Sequence, residues 1–155
     1  MPEPIYDEGD WFAVPLQGGG FAAGIIARTM PQKEGVLLGY FFGPKRDEVP
    51  TPDDLRGLSA SDAVLVERFG DLGVVQGTWP LLGHINGWDR NAWPTPPFGR
   101  FEELTGRAFK VIYDDATPNR LHREEQVDRS ELADMPKDGL SGAGAVEKML
   151  AQLVR

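Results

Sequence analysis

Cysteine is absent from the 155-residue chain. That excludes disulfides, thiolate metal centres and a cysteine nucleophile. Histidine is scarce, with His84 and His122 the two residues of the type that most often serves as general base near neutral pH. No apolar run approaches the ~20 residues needed to cross a bilayer. The opening Met1 to Glu8 has neither a basic nor an apolar stretch, so no signal peptide is expected there. Positive charge is in deficit, with 16 Lys plus Arg against 24 Asp plus Glu and a net charge of −8. Such a field repels phosphate backbones and draws in cationic partners, although surface carboxylates also serve plain solubility. These absences predict a cytoplasmic protein that takes neither nucleic acid nor membrane as its partner. The length predicts one domain over residues 1–155, large enough to bury a core without staples.

Glycine and proline are plentiful, and they punctuate short apolar runs. Gly9 to Arg28 contains two such runs joined by Gln17-Gly18-Gly19-Gly20, a hairpin signal. Alternation puts Phe12, Val14 and Leu16 on one face, and Phe21, Ala23, Ile25 and Ala27 on one face of the next strand. Gly24 leaves room for a large side chain against the backbone. Gly35 to Phe42 is apolar on both parities, as in a central strand covered on both sides, and Gly43-Pro44 is expected to end it. Thr51-Pro52-Asp53-Asp54 predicts a short helical turn capped by Thr51. Further strands are predicted at Ala63–Phe69, with Ala63, Leu65 and Phe69 on one face, and at Trp79–Gly83. A second hairpin follows at Phe101–Leu104 and Arg107–Tyr113, then an edge strand at Leu121–Val127, whose alternating charges discourage edge pairing. The segment from Asp71 to Gly77 reads as a glycine-punctuated link. Residues 1–8 read as an arm. Residues 141–155 read as an amphipathic helix capped by Ser141, with Val146, Met149, Leu150, Leu153 and Val154 as its apolar stripe. The predicted architecture is α+β: a strongly bent antiparallel sheet, or a partly open barrel, with the C-terminal helix packed on it.

Catalytic motifs are missing around the two histidines: neither a Gly-x-Ser-x-Gly elbow nor a His-x-x-x-His pair occurs. Asp114-Asp115 could face a hard cation, but neighbours on a strand point to opposite faces and more simply open a turn. Asp89-Arg90-Asn91 lacks the glycine and distant glutamate of a calcium loop. The Gly18–Gly20 run is followed by a strand, not by Gly-Lys-Ser/Thr and a helix, so it is no phosphate loop. No cofactor or metal is expected.

The clearest functional lead is the long loop from His84 to Arg100. It holds Trp88 and Trp93 interleaved with Asp89, Arg90 and Asn91, and long loops in compact domains are often functional. Tryptophan and arginine dominate binding hot spots. His84, Trp88, Asp89, Arg90, Asn91 and Trp93 are therefore the candidate partner-binding residues. The plainer alternative is that tryptophans fold inward, which suits Trp79 on its expected strand.

Three stretches carry a family resemblance. Gly9-Asp10-Trp11-Phe12-Ala13-Val14-Pro15-Leu16 with Gly20-Phe21-Ala22-Ala23-Gly24 resembles the opening of immunity protein family 26 of bacterial polymorphic toxin systems. Thr78-Trp79-Pro80-Leu81-Leu82-Gly83 and Trp93-Pro94-Thr95-Pro96-Pro97-Phe98 resemble its later segments. The resemblance covers the first two-thirds of the chain and does not extend past Asp115. It implies a small non-catalytic protein that binds a cognate, co-encoded toxin and blocks it. Other readings remain open: a bent sheet used as a cup for a small ligand or peptide, or a small hydrolase pairing His84 with Asp89, Asp114 or Glu67. Oligomeric state is not legible.

Overall fold

In the computed structural model, residues 5–154 are described, and they follow the α+β plan. The strands are β1 (Asp10–Pro15), β2 (Phe21–Thr29), β3 (Val36–Arg46), β4 (Leu65–Gly70), β5 (Leu81–His84), β6 (Phe98–Glu102), β7 (Arg107–Tyr113), β8 (Leu121–Val127) and the two-residue β9 (Leu140–Ser141). A single-turn helix, α1 (Leu72–Gln76), and the C-terminal α2 (Ala143–Leu153) complete the set, with short 3-10 turns between.

The glycine link forms the first hairpin as expected. Gly18, Gly19 and Gly20 all take positive φ, and the turn closes with Leu16 N–H donating to Gly20 O at 2.9 Å. Across it Phe12 pairs with Gly24, and the Phe12 ring occupies the space a Cβ at Gly24 would need. The hairpin grows into a six-stranded sheet of order β5-β1-β2-β3-β4-β9, antiparallel except for the β4–β9 pair. Register shifts at Trp11/Phe12, Phe21/Ala23 and Ile26/Arg28 interrupt its ladders. Such bulges bend and twist a strand. A separate antiparallel sheet, β6-β7-β8, carries the second hairpin and has charged β8 at its edge. The sheet is thus divided in two, and among the described residues neither part closes into a barrel.

Alternation along β1 to β3 feeds two cores. Phe12, Val14, Leu16, Phe41 and Phe69 meet Val146 and Leu150 of α2, and Val154 just after it, on one face, around a Trp79 that is 0% exposed. Trp11, Ala23, Ile25, Ala27, Tyr40 and Phe42 lie on the other face with Trp93, Phe98 and Val111. The run Val36–Phe42 is apolar on both parities because β3 is covered on both sides.

Several sequence expectations need correction. Pro44 does not end β3. The shift between Phe21 and Ala23 leaves residues 43–45 outside the ladder, so a residue without an N–H is tolerated there. Trp79 precedes β5 and is held by stacking on Phe12 (5.7 Å, 10°) and by an Nε1–H bond to Glu147 at 2.8 Å. Ala63 lies before β4 and packs on the second core, not with Leu65 and Phe69. Ser141 is drawn into β9 by pairing with Phe69, so α2 starts after Gly142. Leu153 is exposed, which narrows the helix stripe to Val146, Leu150 and Val154 with Met149 at its margin. The link Asp71–Gly77 contains α1. Of the expected arm, residues 1–4 lie outside the described residues, while Tyr6 is buried in the first core. No described helix is long and apolar enough to cross a membrane.

Candidate functional site

The loop between β5 and β6 is held from below by an arginine that the sequence reading passed over. Arg28 on β2 is 2% exposed. Its Nη1 donates to Ala27 O (2.6 Å) and Trp93 O (2.9 Å), its Nη2 to Arg90 O (3.2 Å) and its Nε to Asp115 Oδ1 (2.9 Å). Two of those acceptors are the carbonyls that bracket a 3-10 turn, Arg90–Ala92, whose N-cap is Asp89. Asp89 earns that position by accepting from Asn91 N–H at 3.0 Å. The Tyr40 hydroxyl donates to Pro94 O just beyond the turn. The signal for Arg28 was available in principle: a cation in an otherwise apolar strand is rarely buried without acceptors.

Trp93 points inward and is 4% exposed, edge-on to Trp11, Tyr40 and Phe42. Trp88 stacks on it at 6.2 Å with 21° between the planes and is half-buried. Beneath Trp88 runs Gly9, with φ +89°; a Cβ there would come within 2.8 Å of the His84 ring and 2.9 Å of Trp88. This close approach accounts for a glycine in the Gly9-Asp10 pair.

Charge surrounds the stack. Arg90 donates to Glu8 (3.1 Å from Nε) and to Asp115 Oδ2 (3.2 Å). Hydrogen bonding to Glu8, reinforced by the Glu8 and Asp115 charges against burial, raises the Arg90 pKa. Burial pushes the Asp115 carboxyl up, but the Thr95 hydroxyl, Arg28 and Arg90 outweigh it and hold Asp115 below the usual aspartate value. Trp88 Nε1–H lies 3.4 Å from Glu8 Oε1. His84 Nδ1 is 3.0 Å from Asp10 Oδ1, with the imidazole about half exposed.

The structure therefore brings five of the six candidates to one surface and sets Trp93 beneath them. His84, Asp89 and Asn91 are exposed, Trp88 and Arg90 half-buried. The carboxylate beside His84 is Asp10, not Asp89, Asp114 or Glu67. Glu67 stands on β4, separated from β5 by three intervening strands, and Asp114 lines a groove with Asn91 and His122. Among the described residues no hydroxyl is hydrogen-bonded to His84, and no cluster of three potential metal ligands occurs. Chemically the surface offers a fixed aromatic face, an imidazole and carboxylates that outnumber the arginines paired with them, a set suited to contact with a cationic protein surface.

Comparison with known proteins gives one family match. The sequence model of the family described as Immunity protein 26 matches residues 7–110. That span runs from the residues beside Gly9 through the Trp88 loop and into β7, and leaves β8, β9 and α2 beyond it. No curated protein and no solved structure matches the chain.

Proposed function

The chain belongs to the Immunity protein 26 family, and from that premise we propose that it binds a co-encoded bacterial toxin through the Trp88 loop and neutralises it by occlusion. The observation that carries this reading is the pre-ordering of the loop. Arg28 and Tyr40 fix its backbone, and Trp93 fixes the ring plane of Trp88. A surface ordered before contact loses less conformational entropy on binding. Trp88 is the anchor, with His84, Asp89 and Asn91 around it. Arg90 holds the loop to Glu8, and Trp93 acts from below.

The same surface favours a basic target. Asp7, Glu8, Asp10, Asp89, Asp114 and Asp115 gather there against Arg28, Lys33 and Arg90. A nuclease toxin presents cationic surface to its own substrate, and an acidic inhibitor competes for that surface by the same attraction. The test is an affinity capture from the native cell's lysate, washed at low and at high salt. A stoichiometric basic protein retained at low salt and shed at high salt is the expected result. An empty bait with folded protein, or a partner with an acidic surface, would overturn the reading.

A further inference from the structure

A second site lies at the opposite edge of the large sheet. Glu67, in mid-β4, is 6% exposed, and its Oε1 has no hydrogen-bond partner among the described residues. Its position follows from the topology. β9 pairs with Arg68 and Phe69, and beyond them the outer edge of β4 has no neighbouring strand among the described residues. The segment 133–139 crosses there instead and leaves a cavity of about 550 Å³, closed on another side by Met149 of α2. Glu67 lines this cavity together with apolar Leu65, Met135 and Met149 and with the charged Asp134, Lys137 and Asp138. Asp138 is already engaged, accepting from the Tyr113 hydroxyl at 2.5 Å and lying 3.9 Å from Arg68 Nη2. Burial pushes the Glu67 carboxyl up to about 7; the Arg68 backbone N–H and the Arg68 and Lys137 charges pull it down, while Asp138 adds to the rise.

We propose that this cavity binds an organic cation on an aliphatic stem, an alkylammonium or alkylguanidinium whose head pairs with the Glu67 carboxylate. A buried carboxylate with an unused acceptor is best satisfied by a charged donor. The apolar walls suit the stem of such a group, which buries its methylenes while the head finds its partner. The volume is within the usual range for small-ligand sites. Three carboxylates on the lining disfavour an anion. Lys137 stands on the same wall with the same chemistry and is the natural competitor. The proposal is independent of the Trp88 surface, from which β1, β2 and β3 separate it.

The experiment follows the Glu67 side-chain carboxyl by carbon NMR through a pH titration, with n-butylamine or N-butylguanidine added, and measures the same binding by calorimetry. Amine binding should draw the Glu67 midpoint down from about 7 toward the ordinary glutamate range. Glu67→Gln, which preserves shape, should weaken amine binding by about tenfold or more while keeping a cooperative melt. Lys137→Met should tighten it. Repeating the titration in the complex with the purified cognate toxin identifies the source of the cation: a lowered midpoint there assigns it to a toxin side chain, and an unchanged one to a free amine. A Glu67 midpoint that neither amine nor toxin moves, or a Glu67→Gln variant that binds the amines as tightly as the wild type, would overturn the proposal.

Discussion

Replacing Arg28 by methionine isolates what the buried guanidinium does for the loop, because the stem is kept and every donor is removed. Arg28 serves four acceptors. Two of them, Asp115 and the Arg90 carbonyl, belong to residues with access to water, and Asp115 retains Thr95 and Arg90 as partners, so little is lost there. The carbonyls of Ala27 and Trp93 belong to buried residues. Losing a charged donor to each costs about 1.5–3 kcal/mol. Relief of the desolvation carried by the buried cation offsets part of this. A net loss of about 2–4 kcal/mol follows, which most single domains of this size survive. Urea denaturation should show that loss. The local signature is stronger: the Trp93 N–H, bonded to Arg90 O at 3.1 Å, should lose most of its exchange protection, while the amides of β3 change only with global stability. If Arg28→Met matched the wild type in both, the loop would be ordered by something other than Arg28.

Other perturbations separate the two faces of the sheet. Leu150→Asp places an unpaired charge at a 0%-exposed position between α2 and the first core, and should abolish the cooperative melt. An unchanged melting temperature would mean that α2 is not docked. Gly9→Ala must adopt positive φ and also displace His84 and Trp88; a loss of about 1–3 kcal/mol is expected in denaturant titrations, with altered Trp88 fluorescence. For Glu67 the native pKa of about 7 stands above the ordinary value of 4.5, so the native state holds the proton more tightly than the unfolded chain. Wild-type stability therefore falls as pH rises through that interval and levels off above it. Glu67→Gln should match the wild type near the bottom of the interval and exceed it above the top by about 3 kcal/mol, or several degrees in melting temperature. Equal pH profiles for the two proteins would contradict this.

Where periodicity and glycine placement carried the information, the fold was legible. The first hairpin, the doubly covered β3, the charged edge strand β8 and the Val146–Leu150 face of α2 all stand where alternation or helical spacing put them. Pairing decisions made elsewhere in the chain were not visible locally. Ser141 resembles a helix cap until β4 claims it, and Pro44 resembles a strand end until a bulge in the opposite ladder accommodates it. The candidate surface was found through its tryptophans, but the inward turn of Trp93 depends on Arg28 and Tyr40, distant in sequence. Asp10 beside His84 was missed for the same reason: β1 and β5 lie far apart in the chain and side by side in the sheet. The family resemblance, drawn from the Gly9–Gly24, Thr78–Gly83 and Trp93–Phe98 stretches, falls within the matched span of residues 7–110.

The central claim is that Trp88, held on Trp93 above Gly9, anchors the toxin. Titration calorimetry of the purified co-encoded toxin against wild type and Trp88→Ala, with both proteins shown to be folded, tests it most directly. The account predicts a loss of at least about 2 kcal/mol, some thirtyfold in Kd, the magnitude of an interface hot spot. An unchanged Kd in the folded variant would contradict it and remove the Trp88 loop from the interface.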